Sequence, residues 1–226
     1  MLLHIPALLT ADDVARAQGL LGEAEWEDGR RTAGHRAQGV KNNQQLHPDR
    51  PEAQQLGALI GERLMRHPSF LAAALPLRVM PPRFNRYAGD GHYGNHVDNA
   101  IFPVPGTNIS VRSDVSMTIF LSDPADYDGG ELMIEDTFGA QRIKLPAGDA
   151  ILYPGSSLHR VTPVTRGVRL ASFFWAQSLV AQDHRRRMLY ELDLAIQGLG
   201  ADHPEHGSVD TLTNLYHNLL REWSAT

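Results

Sequence analysis

The sequence predicts a mainly β protein, an antiparallel sandwich or jelly roll with helices at both ends. Three observations lead there. From Leu77 to Gln177, apolar residues alternate or run together in short segments rather than recurring at a helical period. Asp90-Gly91, Asp128-Gly129-Gly130 and Ala147-Gly148-Asp149 punctuate those segments with residues that tolerate the positive φ of tight turns. On either side of this stretch the helical period returns, so helices flank the strands instead of alternating with them.

Taken in order, Thr10 is placed to cap a helix over residues 11–21, with Asp12 and Asp13 at its positive end and Val14, Leu20 and Leu21 on its apolar side. Residues 30–45 are polar and read as loop or edge strand. Pro51 and Glu52 open a second helix that carries Leu56, Leu59, Ile60 and Leu64 and ends near His67-Pro68. Strands are expected over 77–80, 83–87, 92–98, 115–121, 131–135, 141–145, 150–153, 159–164 and 168–177. A helix from about Gln182 presents Met188, Leu189, Leu192, Ile196 and Leu199 and ends at Gly198 and Gly200. Ser208 then caps a last helix bearing Leu212, Leu215, Tyr216, Leu219 and Trp223. This gives an N-terminal helical and edge-strand support (1–76), a β core (77–178) and a C-terminal helical extension (179–226), all one structural unit.

With 226 residues and 42% hydrophobic content the chain can build one core. A net charge of -5 and scattered basic residues argue against a nucleic-acid surface, and Arg185-Arg186-Arg187 reads as a solvated helix face. There is no cysteine, so a metal would be held by nitrogen and oxygen donors. Met1 to Pro6 lacks a positive leader, and no apolar run reaches the length of a membrane span, so a soluble, cytoplasmic protein is expected.

His96-Val97-Asp98 carries the chemistry. The bare pattern is weak, since eleven histidines and sixteen aspartates should yield roughly one such pair by accident, and His47-Pro48-Asp49 is a second. Pro48 and Pro51 place that one in a pre-helical turn. His96 and Asp98 instead end a strand, where residues two apart share a face. His159 follows a strand and turn that can present it to the same ion, and two histidines with one carboxylate leave open positions of the kind non-haem Fe(II) oxygenases use. Arg169 stands near the start of an otherwise apolar strand. A guanidinium there is costly without an anion, and its planar fork suits a carboxylate.

At these residues the chain resembles the PKHD-type hydroxylases, bacterial relatives of prolyl hydroxylases among the Fe(II)- and 2-oxoglutarate-dependent dioxygenases. The resemblance runs through Lys41-Asn42-Asn43-Gln44-Gln45, Phe84-Asn85-Arg86-Tyr87, His96-Val97-Asp98-Asn99, Asp126-Tyr127-Asp128-Gly129-Gly130-Glu131-Leu132, Leu145-Pro146-Ala147-Gly148-Asp149, Tyr153-Pro154, Ser157-Leu158-His159-Arg160-Val161 and the Arg169 strand. It implies a double-stranded β-helix with Fe(II) on His96, Asp98 and His159. It also implies Arg169 as partner of the distal 2-oxoglutarate carboxylate, with Tyr87 as a second donor. Further implications are O2 as co-substrate, L-ascorbate as a rescuer of oxidised iron, succinate and CO2 as co-products of C–H hydroxylation on an unidentified substrate, and a link to iron homeostasis.

A non-catalytic iron-sensing barrel acting through a partner, or a cupin-like enzyme that does not use 2-oxoglutarate, would keep the same triad. Arg169 separates the sensor, which needs no co-substrate clamp. Lys41 to Gln45 either meets substrate or pairs as a polar edge strand, and Asn99, Ile101, Phe102 and the stretch through Gly106 form either a lid or a surface loop. Trp175 reads as core. His92 shares the strand parity of His96 and is the one credible additional ligand, while His203 and His206 read as solvated. The terminal helices pack on their own barrel or form a homo-oligomer interface.

Overall fold

Period-two alternation becomes two antiparallel sheets that face each other. The structure, a computed structural model, describes residues 1–32, 39–104, 106–136 and 139–225; part of the polar stretch, at 33–38, lies outside them. In chain order the elements are β1 (Leu3–Ile5), α1 (Ala11–Glu23), β2 (Trp26–Asp28), β3 (Lys41–Asn42), β4 (Gln44–Leu46), α2 (Pro51–Met65) and α3 (Pro68–Ala74). Next come β5 (Pro76–Val79), β6 (Arg83–Tyr87), β7 (Gly91–His96), β8 (Ile101–Pro103), β9 (Ser110–Arg112), β10 (Val115–Phe120), β11 (Asp128–Gly129), β12 (Leu132–Asp136) and β13 (Gly139–Ile143). The chain closes with β14 (Ala150–Pro154), β15 (His159–Arg166), β16 (Arg169–Ser178), α4 (Asp183–Asp202) and α5 (Ser208–Trp223).

The larger sheet runs β1-β14-β10-β16-β6-β4-β2, with β5 also on β16, and the smaller runs β13-β12-β15-β7-β3, with β11 on β15. Strand parity assigns two cores. Val115, Met117, Ile119, Ala150, Leu152, Phe84 and Phe174 point outward, where Val14, Ala17 and Leu21 of α1 and Leu56, Ile60 and Leu64 of α2 cover them. Phe120, Ile151, Tyr153 and Tyr87 point inward against Leu132, Ile134, Val161 and Val164 of the smaller sheet. β10 therefore buries all six of its residues, which is why it reads as a continuous apolar run.

Thr10 does cap α1, in a reciprocal box with Asp13, and Asp13 in turn accepts from Arg63 of α2 at 2.8 and 3.0 Å, joining the two covering helices. The second helix does not simply stop at Pro68. His67 is extended, Pro68 occupies the first turn of α3, and that helix ends on Leu75 in the left-handed region. Nor do Gly198 and Gly200 end α4, which continues to Asp202; a helical glycine costs only about 1 kcal/mol and the packing of α5 on α4 offsets it. Gly207, not Ser208, occupies the N-cap of α5, with no side-chain cap bond.

Candidate metal and co-substrate site

His96 is the last residue of β7, His159 the first of β15, and the two lie opposite each other in register. Asp98 falls two residues past the end of β7, so the strand expected to 98 stops short, and Val97 between them is 52% exposed. The carboxylate still turns inward because Ser116 of β10 donates its hydroxyl to Oδ2 at 2.7 Å. Its Oδ1 then lies 4.0 Å from Nε2 of His96 and 3.9 Å from Nε2 of His159. One ligand atom from each residue lies within 4.8 Å of the others, close enough for a single cation to reach all three.

Each imidazole is oriented by its own backbone. Nδ1 of His96 donates to the Gly94 carbonyl at 2.9 Å and Nδ1 of His159 to the Ser157 carbonyl at 3.0 Å, which leaves both Nε2 lone pairs facing Asp98. Burial, reinforced by repulsion from His159, pushes His96 down to about 4, so its ring is neutral at physiological pH and able to ligate.

β7 carries an irregularity opposite His159 and Val161: these pair with His96 and Tyr93, with one intervening residue against two. That extra residue shifts the parity, so Tyr93 shares the face of His96 and stacks on it at 3.6 Å. His92, placed on that face by simple alternation, instead donates to the Asp90 carbonyl and stays out of the cavity. His47 and Asp49 form an exposed pair 3.7 Å apart, remote from the site, and His206 accepts from the Ser208 backbone.

Arg169 opens β16 opposite Tyr87 of β6 and is 2% exposed. Its guanidinium lies 5.2 Å from the Tyr87 ring and 5.3 Å from the Phe120 ring, and Nε and Nη2 have no hydrogen-bond partner among the described residues. A buried cation with unused donors fits an anion presented from the cavity. Asn85 Nδ2 donates to the Tyr87 hydroxyl at 3.2 Å, and burial, opposed by the field of Arg169, raises that phenol. Tyr127 was not singled out as a donor from sequence; its buried hydroxyl also lacks a hydrogen-bond partner among the described residues. Gly130, at φ +66°, lets Tyr127 and Arg169 approach. A Cβ there would stand 2.9 Å from the tyrosine ring and 3.0 Å from the arginine stem.

The triad, Ser116, Tyr93, Asn85, Tyr87 and Arg169 line one cavity of about 500 Å³. Lys41 and Gln45 line it too, so β3, the edge of the smaller sheet, and β4, between β6 and β2, also serve as walls. The stretch after Asn99 forms a β8–β9 hairpin, with Pro105 outside the described residues, and Phe102 stacks on Trp175 at 4.0 Å. Trp175 is 7% exposed, yet it faces this cavity rather than the sealed core.

Such a sandwich, opening on two histidines, an aspartate and a buried arginine, defines the class: a 2-oxoglutarate- and Fe(II)-dependent oxygenase. Residues 82–177 match the 2OG-Fe(II) oxygenase superfamily, and residues 183–225 match the PKHD-type hydroxylase C-terminal domain. A PKHD-type hydroxylase of Parvibaculum lavamentivorans is 58% identical over 226 residues, covering 100% of both chains, and the chain belongs to the PKHD-type hydroxylases. Among solved structures, an oxidoreductase of the 2OG-Fe(II) oxygenase family from Burkholderia pseudomallei superposes with a TM-score of 0.56 at 18% identity, over 78% of this chain and 84% of that one. A prolyl hydroxylase from Trichoplax adhaerens does so with a TM-score of 0.55 at 14% identity, over 83% and 86%. The jelly-roll core is thereby shown.

Proposed function

We propose that His96, Asp98 and His159 hold Fe(II), that Arg169 and Tyr87 hold the distal carboxylate of 2-oxoglutarate, and that the enzyme hydroxylates a C–H bond of a substrate admitted beneath the β8–β9 hairpin. The observation that carries this reading is Arg169: a buried guanidinium with two unused donors in the same cavity as the triad. When bound, the iron, with 2-oxoglutarate and O2, supplies oxidative decarboxylation to succinate and CO2 and the oxidant for hydroxylation. The protein's part is positional. Gly94 and Ser157 carbonyls fix the imidazole tautomers, Ser116 aims the carboxylate, and Phe102 on Trp175 covers the mouth against water.

L-ascorbate sustaining iron in the ferrous state, action in the cytoplasm, a role in iron homeostasis, and the division into support, core and C-terminal extension complete this reading. Among the described residues no helix is long and apolar enough to cross a membrane. Anaerobic addition of Fe(II) and 2-oxoglutarate should give a visible charge-transfer band that is lost in Asp98→Ala, with succinate formed once O2 is admitted. Absence of both band and succinate in the unaltered protein would sink the proposal.

A further inference from the structure

We infer, resting on the oxygenase reading above, that Arg83 and Lys41 form an anion subsite for the hydroxylated substrate, which is a small organic acid held with its apolar body against Phe102, Phe173 and Trp175. Arg83 and Tyr87 both project inward from β6, but they stand four positions apart, about 13 Å of extended strand. Tyr87 pairs with Arg169, whereas Arg83 pairs with Phe173. One dicarboxylate gripped by Arg169 is thus bound at a different level of the sheet from Arg83.

Lys41 belongs to β3, the edge strand beside β7, and its ammonium lies 5.0 Å from the ring of Tyr93, which stacks on His96. Arg83 and Lys41 both line the cavity between the two sheets. Their proximity shows in Lys41, which burial and then repulsion from Arg83 push down to about 8, with Asp28 and Asp98 opposing. Arg83 makes no ion pair with a described residue; its guanidinium lies 5.9 Å from the Trp175 ring, beside Phe173.

The charge balance of the cavity points the same way. Its walls carry Lys41, Arg83 and Arg169 against one carboxylate, Asp98. A divalent ion and a dicarboxylate cancel, and Arg83 still has no ion-pair partner among the described residues after both have bound. A carboxylate or phosphate between Lys41 and Arg83 would relieve their repulsion, and the rings of Phe102, Phe173 and Trp175 offer an apolar surface alongside.

The test uses the full chain with Fe(II) and saturating 2-oxoglutarate under anaerobic conditions. Benzoate, phenyl phosphate and benzyl alcohol are titrated while tryptophan fluorescence is followed, with Trp175→Phe identifying the reporting residue. The expected result is that benzoate or phenyl phosphate binds at least about tenfold more tightly than benzyl alcohol. Whichever of the two binds better names the anion. In Arg83→Gln the ratio should fall towards one with the 2-oxoglutarate band unchanged, and Arg83→Lys should keep most of the preference. Should Arg83→Gln lose the band, Lys41→Gln makes the same comparison. Equal binding of acid and alcohol, or a preference that survives both Arg83→Gln and Lys41→Gln, overturns the subsite. Loss of the band in the unaltered protein overturns the oxygenase reading itself, and the two failures are told apart in one experiment.

Discussion

On the proposed Fe(II) assignment, Ser116 governs the metal site through one hydroxyl without itself being a ligand. Its bond to Oδ2 of Asp98 is what brings a carboxylate beyond the end of β7 back towards two imidazoles. Ser116→Ala should lower Fe(II) affinity about 10- to 100-fold with the fold intact, measured by competition with a chromophoric chelator. Arg169→Gln should weaken 2-oxoglutarate binding by about 3 kcal/mol or more, read from titration of the charge-transfer band, while Fe(II) alone binds as before. The triad and Arg169 were legible because a charge or an imidazole in an apolar strand is conspicuous. Ser116, Tyr127 and Arg83 were not, since a hydroxyl or a strand-end arginine breaks no pattern. His92 was misplaced because the irregularity in β7 reverses alternation, and alternation was all the sequence offered.

At the scale of elements, the glycines after Tyr127 do more than turn the chain. Gly130→Ala should both strain a positive φ and push on the stem of Arg169, raising the 2-oxoglutarate dissociation constant while lowering the urea midpoint. The tie between α1 and α2 predicts a pH effect. Hydrogen bonds from Arg63, then from Thr10, hold the Asp13 carboxyl below its ordinary 3.8. Its contribution is full above 3.8 and is lost as pH falls through the lower folded value. Asp13→Asn should therefore be less stable at pH 7 in urea unfolding, with the gap closing below pH 3.8. The central strands were readable from period and turns. The short strands β1 to β4 and the β8–β9 hairpin were not, because two or three residues cannot display a period. Similarly, Pro68 marked a boundary without revealing that a new helix begins there.

For the molecule as a whole, the C-terminal helices attach to the β core through a residue expected on a solvated face. Arg186 is 2% exposed and donates to the carbonyls of Val180, Ala181 and Asp114; the Asp114 carboxylate accepts from Arg112 of β9 and from the Ser178 backbone. Arg186→Met should cost about 3 kcal/mol or more in urea unfolding because it strands those acceptors. It should also loosen the β8–β9 hairpin, seen as faster amide exchange at Val111 and Arg112. The metal site stands in contrast to this long-range dependence. Both imidazoles are tethered to carbonyls two residues before them and Asp98 to a neighbouring strand, so each side chain is held by protein contacts of its own. A chelator should empty the protein while leaving a cooperative melt, and the gain in melting temperature on adding Fe(II) back should track the logarithm of its concentration. On the proposed Fe(II) assignment, a protein built this way stays folded without its ion and reloads without new synthesis.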